Sequence, residues 1–205
     1  MLEGITAGFV LSLTLFPGTV WLVKVGLVGA ARQTFVVALG FALSQLFWLL
    51  VSIPGLLMMI RNLTPLRPVM HLFTTFVLFY MAFKTMRGRR VEVLNDAGEL
   101  PPLRILFRNA FNRALAIPMR LPTAMAVLLA TGFYINHPTD WKVSPVVMLG
   151  GLIGVTWWWG QLFLLTVLFA KRVPERVMMK SLNKIRPFCS GLLGLLGILS
   201  LALAI

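Results

Sequence analysis

From Thr34 to Met58 the chain runs through 25 consecutive positions without a charged side chain. Similar runs of 18 or more nearly uncharged residues recur along its length. About 20 helical residues cross a hydrocarbon core of about 30 Å, so each run is long enough to span a membrane. Inside lipid a backbone must satisfy its own N–H and C=O groups, which leaves helices or a closed barrel. Barrel strands alternate apolar and polar side chains over about ten residues, and a run such as GQLFLLTVLFA at 160–170 does not alternate. The expected fold class is therefore an all-α polytopic membrane protein. Composition agrees: 59% of the residues are hydrophobic and 12% charged, against about 25% charged in soluble domains.

The interruptions divide the chain into six expected transmembrane helices, Gly4 to Val28, Thr34 to Met58, Leu66 to Met86, Phe111 to Ile135, Ser144 to Ala170 and Pro187 to Ile205. They form a single transmembrane domain over 1–205, whose one polar stretch is RGRRVEVLNDAGELPPLR after the third span. The start MLEGITAGF lacks the basic region of a signal peptide and its apolar run is too long for one, so the first span is expected to be retained. Sixteen of the 19 Lys and Arg residues fall after spans one, three and five. The positive-inside rule makes that side cytoplasmic and both termini external. The net charge of +13 thus reads as topology and contact with the lipid bilayer. Nucleic acid is not expected as a partner, because no soluble recognition module carries the charge.

Two pairs of segments look like internal echoes. LGFALSQLFW at 39–48 lies on LGGLIGVTWW at 149–158, and LTPLRPVM at 63–70 lies on LNKIRPFC at 182–189. Each half would then hold three spans: repeat one about 1–90, a cytoplasmic loop about 87–110, and repeat two about 111–205. Three is odd, so the second half is inverted relative to the first, giving two inverted three-helix repeats as in many secondary transporters.

In that plan, matching broken helices mark the binding site. The first half offers Phe16-Pro17-Gly18-Thr19 and the second Ile117-Pro118-Met119-Arg120-Leu121-Pro122-Thr123. Counted from Gly4 and Phe111, Pro17 and Pro122 lie about 20 Å and about 17 Å into their spans, near mid-membrane. A proline removes a donor and disturbs the carbonyl four residues earlier. In lipid such a break is tolerable where protein or a water-filled cavity satisfies the backbone. A kink that serves only packing is the other reading. As a transport site, the candidate substrate-binding residues are Pro17, Gly18, Thr19, Gln45, Arg120, Pro122 and Thr123.

With Gly8, Pro17-Gly18, the turn Gly29-Ala30-Ala31-Arg32, Gly40, the basic loop after span three and Pro122, the chain resembles the lysine-exporter superfamily of LysE/RhtB-like amino-acid exporters. The resemblance implies six spans in two inverted triplets, a bacterial inner (plasma) membrane, amino-acid transport out of the cell and a driving proton gradient. Thr19 stands where that family has the second proline of Pro-Gly-Pro. Leu121 and Thr123 flank Pro122 where it has Asn and Lys, which marks a divergent member.

All six carboxylates lie in expected loops or at membrane ends, so no span holds a buried acid for a cationic cargo. Arg120 is the one charge expected well inside a span. It could receive a carboxylate or other anion together with the half-helix amides, or snorkel to the cytoplasmic surface; Lys24 invites the same two readings. Ser12, Thr14, Ser44, Thr131, Thr156 and Gln161 are further polar residues within spans, and Gln45 and Gln161 each need a partner. The Trp157-Trp158-Trp159 run reads as packing. Cys189 is alone, and His71 and His137 have no ligand spacing, so neither a metal site nor a cofactor is expected. His137 and Asp140 lack a nucleophile and no phosphate-binding glycine loop occurs, which argues against an enzyme.

The expected function is a secondary transporter exporting a small zwitterionic or anionic metabolite, an amino acid or a derivative, by alternating access. The alternative is a non-transporting membrane component that binds a protein partner or lipid on a transporter-like scaffold. Assembly as a homo-oligomer stays open.

Overall fold

A computed structural model describes residues 1–62, 67–88, 99–117, 119–133, 142, 144–169 and 172–203. The described residues form eight helices and no strand: α1 Leu2–Leu13, α2 Phe16–Val28, α3 Ala31–Asn62, α4 Arg67–Arg87, α5 Leu103–Leu115, α6 Arg120–Ala130, α7 Ser144–Phe169 and α8 Glu175–Ala202. Four of them, α3, α4, α7 and α8, are individually long and apolar enough to cross a membrane. The bent pairs α1 with α2 and α5 with α6 bring the number to as many as six if each pair is one span. Expectations that fall on Pro118, Ile135, His137, Asp140, Ala170 and Lys171 lie outside the described residues.

Two expected boundaries move. The helix at the expected fourth span begins at Leu103 rather than Phe111, and there Arg104 and Arg108 sit on the exposed face of an amphipathic helix whose other face buries Leu106, Ala110 and Ala114. The sixth begins at Glu175 rather than Pro187, and Pro187 lies inside α8. Here Arg176, Lys180 and Lys184 are exposed while Leu182 and Arg186 are buried, so the helix starts in a polar stretch that hydropathy alone passes over.

Local chemistry sets the turns. Gly29 closes α2 by donating to the Val25 carbonyl at 2.7 Å. Gln33 starts α3 by accepting the Ala30 amide on Oε1 at 2.8 Å, half of a capping box. After α6, Gly132 takes φ 88° and its amide reaches the Leu129 carbonyl at 3.1 Å, a left-handed stop that glycine favours.

The core centres on α6, where Thr123, Ala124 and the run Ala126 to Ala130 are all buried. Around it pack α1, α3, α4 and α8. The most extensive crossing is α1 on α7, and it is built from glycine. A Cβ at Gly8 would lie 2.4 Å from the Gly151 carbonyl oxygen, and one at Gly154 would lie 2.1 Å from that of Ile5. Small residues four apart let two helix backbones approach where lipid supplies no hydrophobic drive for association. Gly40 on α3 meets α5 in the same manner, at Phe107 and Ala110.

Hydrogen bonds fasten α4 to α8. Ser190 donates to the Ala82 carbonyl at 2.8 Å, Thr75 to that of Gly197 at 3.3 Å, and Ser200 to that of His71 at 3.2 Å. Arg186 extends the fastening to α2, its guanidinium 4.7 Å over the Phe16 ring while Nη1 donates to the Gly88 carbonyl. Outward faces carry Phe73, Phe76, Phe83, Leu164, Leu168 and Leu195 exposed, as a lipid-facing surface requires.

Candidate functional site

Thr14 and Leu15 separate α1 from α2, and the helices bend by 69° across them. Pro17 sits in the first turn of α2, where a missing N–H is harmless and the fixed φ suits the helix. The break therefore precedes the proline instead of following it. The second pair repeats the arrangement: α5 and α6 bend by 70°, and Pro122 is the third residue of α6. Within that break Met119 has φ 66°, the one left-handed non-glycine among the described residues.

Each α-helix begins with amides that have no intrahelical partner, and part of that capacity is used locally. Gly18 and Thr19 both donate to the Leu15 carbonyl, at 2.9 and 3.2 Å, and Thr123 donates its amide to Met119 at 3.0 Å. The Thr123 hydroxyl goes to the same Met119 carbonyl at 2.6 Å. What remains at the head of α2 and α6 is the positive end of each helix dipole.

The two breaks meet through side chains. Arg120, the first residue of α6, is 2% exposed and donates Nη1 to Oγ1 of Thr14. Thr14 in turn donates to the Leu11 carbonyl at 2.6 Å. The arginine does not snorkel: Nε and Nη2 are buried and have no hydrogen-bond partner among the described residues. A guanidinium carries five donors and no acceptor, and the geometry of such an edge matches that of a carboxylate or another planar anion.

Gln45 is completely buried on α3, which packs on α6, and both ends of its amide lack a partner among the described residues. Ser52, two helical turns further along α3, has a buried hydroxyl in the same condition. Gly18 admits the Phe41 ring, whose Cε1 would lie 3.2 Å from a Cβ there. Phe41 stacks on the buried Trp159 at 5.0 Å. Of the remaining candidates, Thr19 is buried, Pro122 half-buried and Pro17 exposed, so the prolines shape the breaks more than they line anything.

The other in-span polar residues sort by face. Gln161 and Thr156 are exposed, with Thr156 bonded to carbonyls of its own helix. Trp157 is exposed, Trp158 lies edge-on to Phe9 at 5.5 Å, and Trp159 is buried. Sequence reasoning counted Thr14 only as one polar residue among several. Its spacing held a clue: Thr14 stands three residues before Pro17, and Arg120 two before Pro122. No group of three or more His, Cys, Asp or Glu is placed to hold a metal among the described residues.

Residues 9–201, nearly the whole chain, match the model of the family described as LysE type translocator. Neither the curated proteins nor the solved structures compared with the chain contain a match.

Proposed function

The chain belongs to the LysE type translocator family, and on that premise we propose that it exports a small zwitterionic or anionic metabolite, an amino acid or a derivative of one, by alternating access. Membership makes it a multi-pass membrane transporter and gives no ground for an enzymatic role. The observation that carries the finer reading is the Arg120–Thr14 contact. It joins two helix breaks and leaves two buried guanidinium donors without a protein acceptor. Burying such a group is costly unless it is paired, so a transient carboxylate is the natural complement, seated on Arg120 between the dipole ends of α2 and α6.

Two inverted repeats, α1 to α4 and α5 to α8, would supply the moving parts. The near-equal bends of 69° and 70° support this division. So do the matched crossings, α1 with α7 at Gly150 and α5 with α3 at Gly40. In this scheme each triplet rocks about the common centre, exposing the anion seat first to one face and then to the other. A bacterial inner membrane with the basic connections in the cytoplasm is the setting we assign.

Efflux of candidate amino acids at equal membrane abundance tests the reading. Loss of a charge-assisted hydrogen bond costs about 2 kcal/mol, so Arg120→Gln should raise the half-saturating concentration roughly 30-fold. Pro17→Ala should slow efflux by allowing α1 and α2 to straighten. Unchanged efflux in both variants would remove the site.

A further inference from the structure

The half-helices of the two bent pairs pack together on one side of the breaks and enclose a cavity on the other. α1 packs against α6. Between α2 and α5 lies a cavity of about 310 Å³, lined by Trp21, Lys24, Leu100, Leu106, Asn109 and Arg113 among others. That volume is at the small end of the range for small-molecule sites, about 300 to 1,000 Å³.

None of the described lining residues is acidic, while α2 contributes Lys24 and α5 contributes Arg113. The Arg113 guanidinium lies 4.8 Å over the Trp21 ring, a contact that uses the face of the cation and leaves its in-plane donors for an acceptor. Asn109 adds an amide able to donate and accept. A cleft lined by one sign of charge concentrates the opposite sign. Trp21 also lies edge-on to Phe41 at 5.8 Å, and Phe41 stacks on Trp159. An aromatic wall thus runs from the cavity toward Gly18 and the first break.

We infer that the α2–α5 cavity is an anteroom: a second, anion-selective site that takes the carboxylate of a solute on the basic face before it reaches the Thr14–Arg120 centre. The fold described here is then the conformer closed between α1 and α6 and open between α2 and α5. The role in passage rests on the transport reading above, whereas the selectivity for anions does not. A lipid phosphate offers similar charge, and the experiment separates the two sources.

Cys189 is the one cysteine, so Asn109→Cys in a Cys189→Ser background places a single reporter in the cavity. The variant is reconstituted in phosphatidylcholine nanodiscs and treated with an anionic sulfonatoethyl or a cationic trimethylammonioethyl methanethiosulfonate. The anionic-to-cationic rate ratio, normalised to 2-mercaptoethanol, should exceed that of the free thiol by about tenfold or more. Adding Lys24→Gln and Arg113→Gln should return it to the free-thiol value, and Arg113→Lys should preserve most of it. Arg104→Gln with Arg108→Gln, exposed positions on the same helix outside the lining, should leave it unchanged. A millimolar mixture of amino acids should slow the anionic reagent. A ratio equal to the free thiol overturns the site, and slowing by added phosphatidylglycerol but not by amino acids overturns the solute assignment. Arg120→Gln efflux that stays normal would remove the central seat while leaving this ratio intact, so the two readings fail separately.

Discussion

Thr14 has one hydroxyl and uses it twice, donating to the Leu11 carbonyl and accepting from Arg120. A buried cation that loses its acceptor bears a desolvation cost that nothing repays. Thr14→Val should therefore lower stability by about 1 to 3 kcal/mol, seen as a fall in the thermal unfolding midpoint in detergent. Thr14→Ser keeps the oxygen and should unfold close to the parent protein. Equal midpoints for the two variants would mean that Arg120 finds another acceptor. Part of this residue-scale picture is legible in the sequence, which marks Gly18, Thr19, Gln45, Arg120 and Thr123, all buried, together with Pro17, which is exposed, and Pro122, which is half-buried. The pairing of Arg120 with Thr14 was not legible, since 106 positions separate them and only the folding of α6 against α1 brings them together.

At the scale of elements, proline position and break position turn out to be different things. Pro17 and Pro122 flag the breaks, yet both sit just inside the helix that follows, because proline is comfortable in a first turn. The first break lies at Thr14–Leu15, and the second falls between Leu115 and Arg120, where Met119 is left-handed. Glycine tells a similar story. Gly154 and Gly194 are both helical, but a Cβ on Gly154 would strike the Ile5 carbonyl at 2.1 Å, whereas one on Gly194 meets nothing within 4 Å. Gly154→Ala should destabilise by about 3 kcal/mol or more, the upper range for overpacking a tight contact. Gly194→Ala should be neutral or stabilising by up to about 1 kcal/mol through helix propensity. Thermal midpoints of the two variants check the contrast, and a shared outcome would show that α1 can slide away from α7 at little cost.

For the whole molecule the charge distribution makes the sharpest statement. Basic residues gather after spans one, three and five, a bias that orients helices during insertion. Alkaline phosphatase fused to either terminus should be active, and a fusion in the connection between α4 and α5 should be inactive. The opposite pattern would invert the topology and turn the α2–α5 cavity toward the outside. Such an inversion would leave the fold as described but reverse the direction in which the anteroom serves.

Hydrophobic run length and proline act locally, so the sequence by itself determined that the chain is helical, that several of its segments are long and apolar enough to cross a bilayer, and roughly where two further segments bend. It could not tell which of several polar residues in apolar runs turns inward. Gln45 is buried and Gln161 exposed, and that difference depends on which neighbour each helix packs against. Tertiary structure alone decided that α1 lies on α7 through facing glycines, that Arg120 closes on Thr14, and that one pair of half-helices touches while the other encloses a basic cavity. Such facts depend on contacts between distant segments, where the gain comes from close packing and satisfied donors and no single segment carries the information.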